Sequence, residues 1–149
     1  MKKLTLLLFF ATILMTTAFA QMNPVSWTYN AEKTGENEYN IVFKADVQDG
    51  WYIYSQFLGE NGPIPTSFEF DNNAGIELVG KASEKGKKTE SYDDIFEMDI
   101  VKFAGKTTFK QQVKTAGNPT KVTGYLTYMT CNDEGCLPPV DVDFAVKLD

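Results

Sequence analysis

Short runs in which apolar and polar side chains alternate are the feature that most constrains the fold of this chain. The two clearest runs cover residues 39–47 and 140–148, where every second residue is apolar or aromatic. A period of two puts alternate side chains on opposite faces of a strand, so that one face can pack on a core while the other meets solvent. No segment has a convincing helical period. The pattern therefore predicts antiparallel strands.

Clusters of Gly, Asn, Asp and Pro divide the chain into short segments at intervals of roughly ten residues. This spacing is typical of an all-β, immunoglobulin-like sandwich of two antiparallel sheets, with a β-barrel as the alternative. Two loops, residues 55–65 and 81–94, are longer than a turn requires, and such loops often carry function. The predicted strands are 25–29, 39–47, 51–54, 66–70, 76–79, 96–103, 107–113, 122–130 and 140–148.

Residues 1–20 have the order of a secretory signal peptide. Two lysines precede an apolar stretch over residues 4–17, and an Ala-Phe-Ala triplet ending at Ala20 supplies a small-residue cleavage site. The apolar stretch is shorter than the ~20 residues that a membrane-spanning helix needs, and no cysteine follows it for lipid attachment. We therefore expect cleavage after Ala20 and no membrane insertion afterwards. The mature product, residues 21–149, should be a single periplasmic domain and a monomer.

Charge and composition exclude several classes of function. The chain has a net charge of −6, every basic residue is a lysine, and loss of the two signal-peptide lysines makes the mature charge −8. An acidic surface without arginine repels phosphate backbones and cannot grip them bidentately, so we expect no nucleic-acid partner. The chain has no histidine, which removes the usual zinc ligand and general base. Any reaction that this chain carries out should therefore use the sulfur atoms of its cysteines. We predict neither a metal nor a cofactor.

The only two cysteines, Cys131 and Cys136, are separated by turn-forming residues. A hairpin would place them opposite each other within reach of a disulfide, and export favours oxidation. Such a bridge closes about six residues and contributes only about 2 kcal/mol, but spacing alone leaves a structural clip and a redox pair equally open. No neighbouring cation lowers a thiol pKa, and Asp133 and Glu134 should raise it. Copper(I) binding with Met129 is a third interpretation.

The residues around this pair resemble a known family. Residues 128–139, Tyr-Met-Thr-Cys-Asn-Asp-Glu-Gly-Cys-Leu-Pro-Pro, and residues 49–54, Asp-Gly-Trp-Tyr-Ile-Tyr, are similar to the N-terminal periplasmic domain of the thiol:disulfide interchange protein DsbD. The resemblance covers the whole mature chain in the same order. It implies an immunoglobulin-like sandwich that receives electrons from a membrane electron transporter of DsbD type. It also implies that the electrons pass to periplasmic thioredoxin-fold proteins, including disulfide isomerases and those of cytochrome c biogenesis.

The same resemblance implies roles for individual residues. Cys136 is expected to exchange with partners and Cys131 to resolve the mixed disulfide, although four residues separate them here where the best-known members have five. The family covers its cysteines with an aromatic and acidic cap loop, for which residues 92–96 are the closest match. Simpler interpretations exist, because strand tyrosines are often half-buried sheet surface and loop aspartates are often only solvated. The supporting or cap candidates are Tyr52, Tyr54, Tyr92, Asp93, Asp94 and Phe96.

We therefore predict a periplasmic thiol-disulfide electron carrier, and an enzyme of the protein-disulfide reductase type is favoured. Because no membrane or thioredoxin-like domain follows Asp149, we expect its partners to be encoded separately. The alternative is a secreted immunoglobulin-like binding module in which the Cys131–Cys136 disulfide is an inert structural clip.

Overall fold

The computed structural model describes residues 23–59, 61–72, 75–94 and 96–149, and all regular structure in these ranges is β. The predicted signal peptide and its cleavage site lie outside the described residues. No helix in the described part of the chain is long and apolar enough to cross a bilayer. The strands are β1 (Val25–Gly35), β2 (Glu38–Val47), β3 (Tyr52–Tyr54), β4 (Ser67–Phe70), β5 (Ile76–Asp93), β6 (Met98–Thr115), β7 (Lys121–Tyr128), β8 (Thr130–Cys131) and β9 (Val140–Lys147).

These strands form two antiparallel sheets with an aromatic core between them. The large sheet has the order β1-β2-β6-β3-β8, with β5 also paired to β6, and the small sheet has the order β4-β7-β9. Phe43 of the large sheet meets Phe68 and Phe144 of the small sheet, with ring centroids 4.6 and 4.9 Å apart. The predicted immunoglobulin-like two-sheet sandwich is confirmed.

The alternating runs bury the face that the sequence predicts. In β2 the five alternate residues from Tyr39 to Val47 are all at most 8% exposed. In β9, Phe144 and Val146 are buried, whereas Val140 and Val142 are only partly covered. The small sheet ends at β9, so the neighbouring layer covers this strand less completely than it covers the central β2.

Residues 81–94, predicted as a loop, lie almost entirely in β5, so the loop prediction is wrong. The strand pairs with β6 in a long hairpin with two register shifts. Residues 96–103 and 107–113, predicted as two strands, belong largely to the single strand β6, which passes through Gly105 at a φ of 63°. Side chains 85–92 are all exposed, so this part of β5 depends on backbone hydrogen bonds to β6 and shows no apolar alternation.

Candidate redox site

Strand register decides which side chains share a face at the β8 edge of the large sheet. Cys131 in β8 lies directly opposite Tyr52 in β3, and Tyr54 in β3 lies opposite Lys102 in β6. Directly paired residues project to the same face, as do residues two apart on one strand, so these four side chains share a face. Ile53, between the tyrosines, is 0% exposed and packs into the main core. The cysteine therefore lies on the face of the sheet that points away from that core.

Cys131 and Cys136 form a disulfide that closes a tight hairpin. Their Cα atoms are 4.0 Å apart and the two residues form an antiparallel bridge, which confirms the predicted facing arrangement. The Asn132 side-chain oxygen accepts hydrogen bonds from the backbone N–H groups of Glu134 and Gly135, both at 2.9 Å. The turn is therefore held by its own hydrogen bonds as well as by the disulfide.

The two sulfur-bearing residues differ sharply in accessibility. Cys131 is 0% exposed, whereas Cys136 is exposed. The neighbouring Gly135 is also exposed, and a Cβ placed on it would meet nothing within 4 Å. Thiol-disulfide exchange depends on access to the sulfur under attack, and Cys136 is the more exposed residue of the pair.

Tyr54 is the polar side chain in contact with the buried sulfur. Its hydroxyl donates a hydrogen bond to Sγ of Cys131 at 3.1 Å, and the residue is 4% exposed. Burial raises the pKa of Tyr54 above its ordinary value, and Tyr52 and the negative charge of Asp93 raise this pKa further. The hydroxyl therefore keeps its proton at neutral pH and remains a donor. Tyr52 packs edge-to-face on Tyr54 at 5.6 Å, and its own hydroxyl makes a long contact of 3.5 Å to the Asn132 carbonyl oxygen.

A small apolar cluster, separate from the main core, covers Cys131. The turn between β5 and β6 contributes Phe96, whose backbone N–H donates to the Asp93 carboxylate at 3.2 Å. This hydrogen bond joins Phe96, which packs against the cluster, to the last residue of β5. The centre of the cluster is Tyr54, Ile100 and Cys131, and the residues packed against it are Tyr52, Leu58, Phe96, Met98 and Met129.

The predicted cap residues separate according to the register of β5 on β6. Phe96 packs in the cluster around the cysteine, and the negative charge of Asp93 contributes to the raised pKa of Tyr54. Tyr92, paired with Asp99, projects to the face opposite that of Asp93 and is 61% exposed. Asp94 is also exposed. The structure thus brings Phe96 and Asp93 to the site and leaves Tyr92 and Asp94 outside the cluster.

Sequence reasoning missed Ile100 and Lys102. The Lys102 ammonium lies 4.1 Å from the centroid of the Tyr52 ring, which places a cation against the tyrosine that pairs with Cys131. The alternation in this part of β6 does not reveal them, because the strand is apolar on both faces: Val101 and Phe103 pack with the main core while Ile100 packs with the cysteine.

In this oxidised state the cysteine pair presents a disulfide and no free thiol. In the described ranges, no group of three or more His, Cys, Asp or Glu side chains is placed to hold a metal ion. Cys131 and Cys136 are bonded to each other, and Met129 packs in the apolar cluster. A disulfide presents no thiolate, which is the ligand that soft metals select.

A sandwich that buries one sulfur of a hairpin disulfide against a tyrosine hydroxyl and exposes the other residue of the pair has the construction of a thiol-disulfide exchange domain. The family described as "Thiol:disulfide interchange protein DsbD, N-terminal" matches residues 19–148. The chain belongs to this family, as the resemblance predicted.

Solved structures share the fold. The N-terminal domain of Neisseria meningitidis DsbD in the reduced form is 20% identical, covers 87% of this chain and 91% of its own, and superposes with a TM-score of 0.57. The N-terminal periplasmic domain of ScsB from Proteus mirabilis is 17% identical, covers 84% of this chain and 45% of its own, with a TM-score of 0.52. No curated protein sequence is significantly similar to the chain.

Proposed function

We propose that this domain is a periplasmic electron carrier that works by thiol-disulfide exchange through Cys131 and Cys136, with the activity of a protein-disulfide reductase. Residues 1–20 serve as the export signal and deliver the domain to an oxidising compartment. The observation that carries the proposal is the asymmetry of the disulfide, with Cys131 buried under the Tyr54 hydroxyl and Cys136 exposed. An inert clip needs no such asymmetry.

Exchange begins at the sulfur of Cys136, the exposed cysteine of the pair. A partner thiolate attacks Sγ of Cys136, a bond to the partner forms, the Cys131–Cys136 bond breaks, and its electron pair passes to Sγ of Cys131. The Tyr54 hydroxyl already donates to this sulfur. A hydrogen bond to a charged group contributes about 1.5–3 kcal/mol, against about 0.5–1.5 for a neutral one, so Tyr54 favours the departing thiolate.

The mixed disulfide then resolves in one of two directions. A second partner thiol that attacks the partner's own sulfur releases Cys136 and leaves the domain as a dithiol, which now holds two electrons. Attack by Cys131 on Cys136 instead restores the disulfide and returns the electrons. The first of these routes is reversible. When the dithiol form meets an acceptor that carries a disulfide, the same steps in reverse order reduce the acceptor with the two electrons and restore the Cys131–Cys136 disulfide.

Thioredoxin-fold proteins are the proposed partners, with a membrane electron transporter of DsbD type as the source of electrons and cytochrome c biogenesis among their destinations. Membership of the family supports this assignment. The exposed Gly135 beside Cys136 supports it too, because a glycine lets a partner backbone approach the sulfur closely.

Two cysteine variants test which sulfur meets the partner. Cys131→Ser keeps the exposed thiol and removes the resolving one, so mixed disulfides with thioredoxin-fold proteins should accumulate. Cys136→Ser keeps a thiol at a buried position, so adducts should not form. Non-reducing gels and mass spectrometry of periplasmic material measure adducts in cells. Release of thionitrobenzoate from an activated single-cysteine thioredoxin measures them in solution, where Cys131→Ser should react more than about tenfold faster.

The opposite pattern would reverse the assignment of the two cysteines, and a lack of adducts from both variants would refute the carrier function. The reduction potential of the wild-type pair separates the carrier from the inert clip of a binding module. Structural disulfides have potentials below about −300 mV, so a higher value supports the carrier.

A further inference from the structure

The positively charged ammonium group of Lys102 lies against Tyr52, one of the two tyrosines at the redox site. Its Nζ lies 4.1 Å from the centroid of the Tyr52 ring, within the range of a cation–π contact. Lys102 is paired with Tyr54 across β6 and β3, and Tyr52 is paired with Cys131 across β3 and β8. The four side chains share one face. Two strand spacings across the sheet and the two-residue offset between Tyr54 and Tyr52 put the Cα atoms of Lys102 and Cys131 about 12 Å apart.

The other charges near the buried sulfur are mostly negative. Asp93 is the last residue of β5, and its negative charge contributes to the raised pKa of Tyr54. Asp133 and Glu134 lie in the exposed hairpin. Lys87 shares the face of Lys102 but lies on β5, one strand farther from β8. Within the part of the chain that the structure describes, Lys102 makes no ion pair with a carboxylate, unlike three other lysines of β5 and β6. Its charge is therefore not neutralised by a direct partner there.

We propose that Lys102 is a positioning residue for exchange, whose charge, held on the Tyr52 ring, stabilises the electron pair that Sγ of Cys131 receives. The inference rests on the proposed function and deepens it. As the partner sulfur bonds to Sγ of Cys136 and the Cys131–Cys136 bond breaks, the negative charge of the partner thiolate passes to Cys131 on the face that Lys102 shares. A more stable leaving thiolate departs faster, so the cation accelerates the step. The nearby carboxylates oppose it.

Lys102→Gln tests the charge. In a Cys136→Ser background, where Cys131 is the single thiol, absorbance at the thiolate band gives its ionisation constant. A unit charge about 12 Å away changes such a constant by roughly three- to tenfold in a partly exposed site, so Lys102→Gln should lower it by that factor. In the wild-type background, the second-order rate of disulfide reduction by dithiothreitol should fall, by a similar or smaller factor.

Two further variants separate charge from structure. Lys102→Arg keeps the charge and can stack on the ring, so it should retain the wild-type ionisation constant and rate. Lys121→Gln removes an exposed charge from the first residue of β7, in the small sheet and at the end of that strand away from the cysteine hairpin, and should change neither. Melting curves of all variants show that each is folded under the assay conditions.

Each outcome decides something different. If Lys102→Gln matches wild type, if Lys121→Gln shifts the constants as much, or if Lys102→Arg behaves like the glutamine variant, the role of the Lys102 charge is refuted while the carrier function stands. If the wild-type disulfide exchanges with no dithiol or thioredoxin, the proposed function fails first and the inference fails with it.

Discussion

Reduction of the Cys131–Cys136 disulfide should leave the domain folded. The bridge has a sequence separation of 5, and the chain-entropy relation gives about 2 kcal/mol for so short a loop. A domain of ordinary stability has about 5–15 kcal/mol in total. Neither cysteine belongs to the main core, and the hairpin keeps the hydrogen bonds of Asn132 when the S–S bond opens. The loss is therefore a minor part of the stability.

Urea denaturation followed by circular dichroism measures this loss. We expect oxidised and reduced protein to unfold in single cooperative transitions with equal m-values, and the reduced form to be less stable by about 2 kcal/mol. The double variant Cys131→Ala/Cys136→Ala is the matched control. It should lose a similar amount, plus a contribution from the sulfur contacts removed at the buried position.

A larger loss would refute the reasoning. If reduction lowers the free energy of unfolding by more than about 5 kcal/mol, or abolishes the β-sheet spectrum, the disulfide is a structural element and entropy of loop closure does not describe it. A double variant as stable as the oxidised protein would refute the estimate from the other side.

Three further predictions concern the export signal, alkaline pH and packing. The mature protein should begin at Gln21, and an intact mass of periplasmic protein that includes residues 1–20 would contradict this. Folding raises the pKa of Tyr54 above its unfolded value near 10. The contribution of Tyr54 to the free energy of unfolding is therefore fully present below about pH 10 and is lost progressively as the pH rises further. Chemical denaturation from pH 8 to about 11.5 should therefore show a shallower decline for Tyr54→Phe than for wild type, and equal slopes would contradict the shift. A Cβ at Gly124 would lie 2.7 Å from the Phe144 ring and closer still to a backbone oxygen of β4, so Gly124→Ala should cost about 1–3 kcal/mol in urea denaturation. Gly135→Ala, with open space around its Cβ, should cost less than about 0.5 kcal/mol, and similar costs at both positions would contradict the packing argument.

The fold and the cysteine hairpin of this chain were predictable from its sequence, because both depend on local patterns. A period of two over residues 39–47 reports a strand buried on one face, and the structure buries that face. Two cysteines on either side of a turn predict a pair that faces across a hairpin, and in the structure Cys131 and Cys136 form a disulfide there. The same local logic failed for residues 81–94, because an exposed strand carries no apolar period and only its hydrogen bonds to β6 reveal it.

The tertiary structure alone decided which side chains meet the sulfur. Pairing of β5 with β6 carries Phe96 to the cluster over Cys131 and turns Tyr92 away, although the two residues lie in one motif. Pairing of β6 with β3 brings Lys102 to the Tyr52 ring from a distant part of the chain. A one-residue change of register would move each of these side chains to the other face of the sheet. Sequence therefore determined that a cysteine hairpin exists, and strand register, set by packing across the whole sheet, determined what surrounds it.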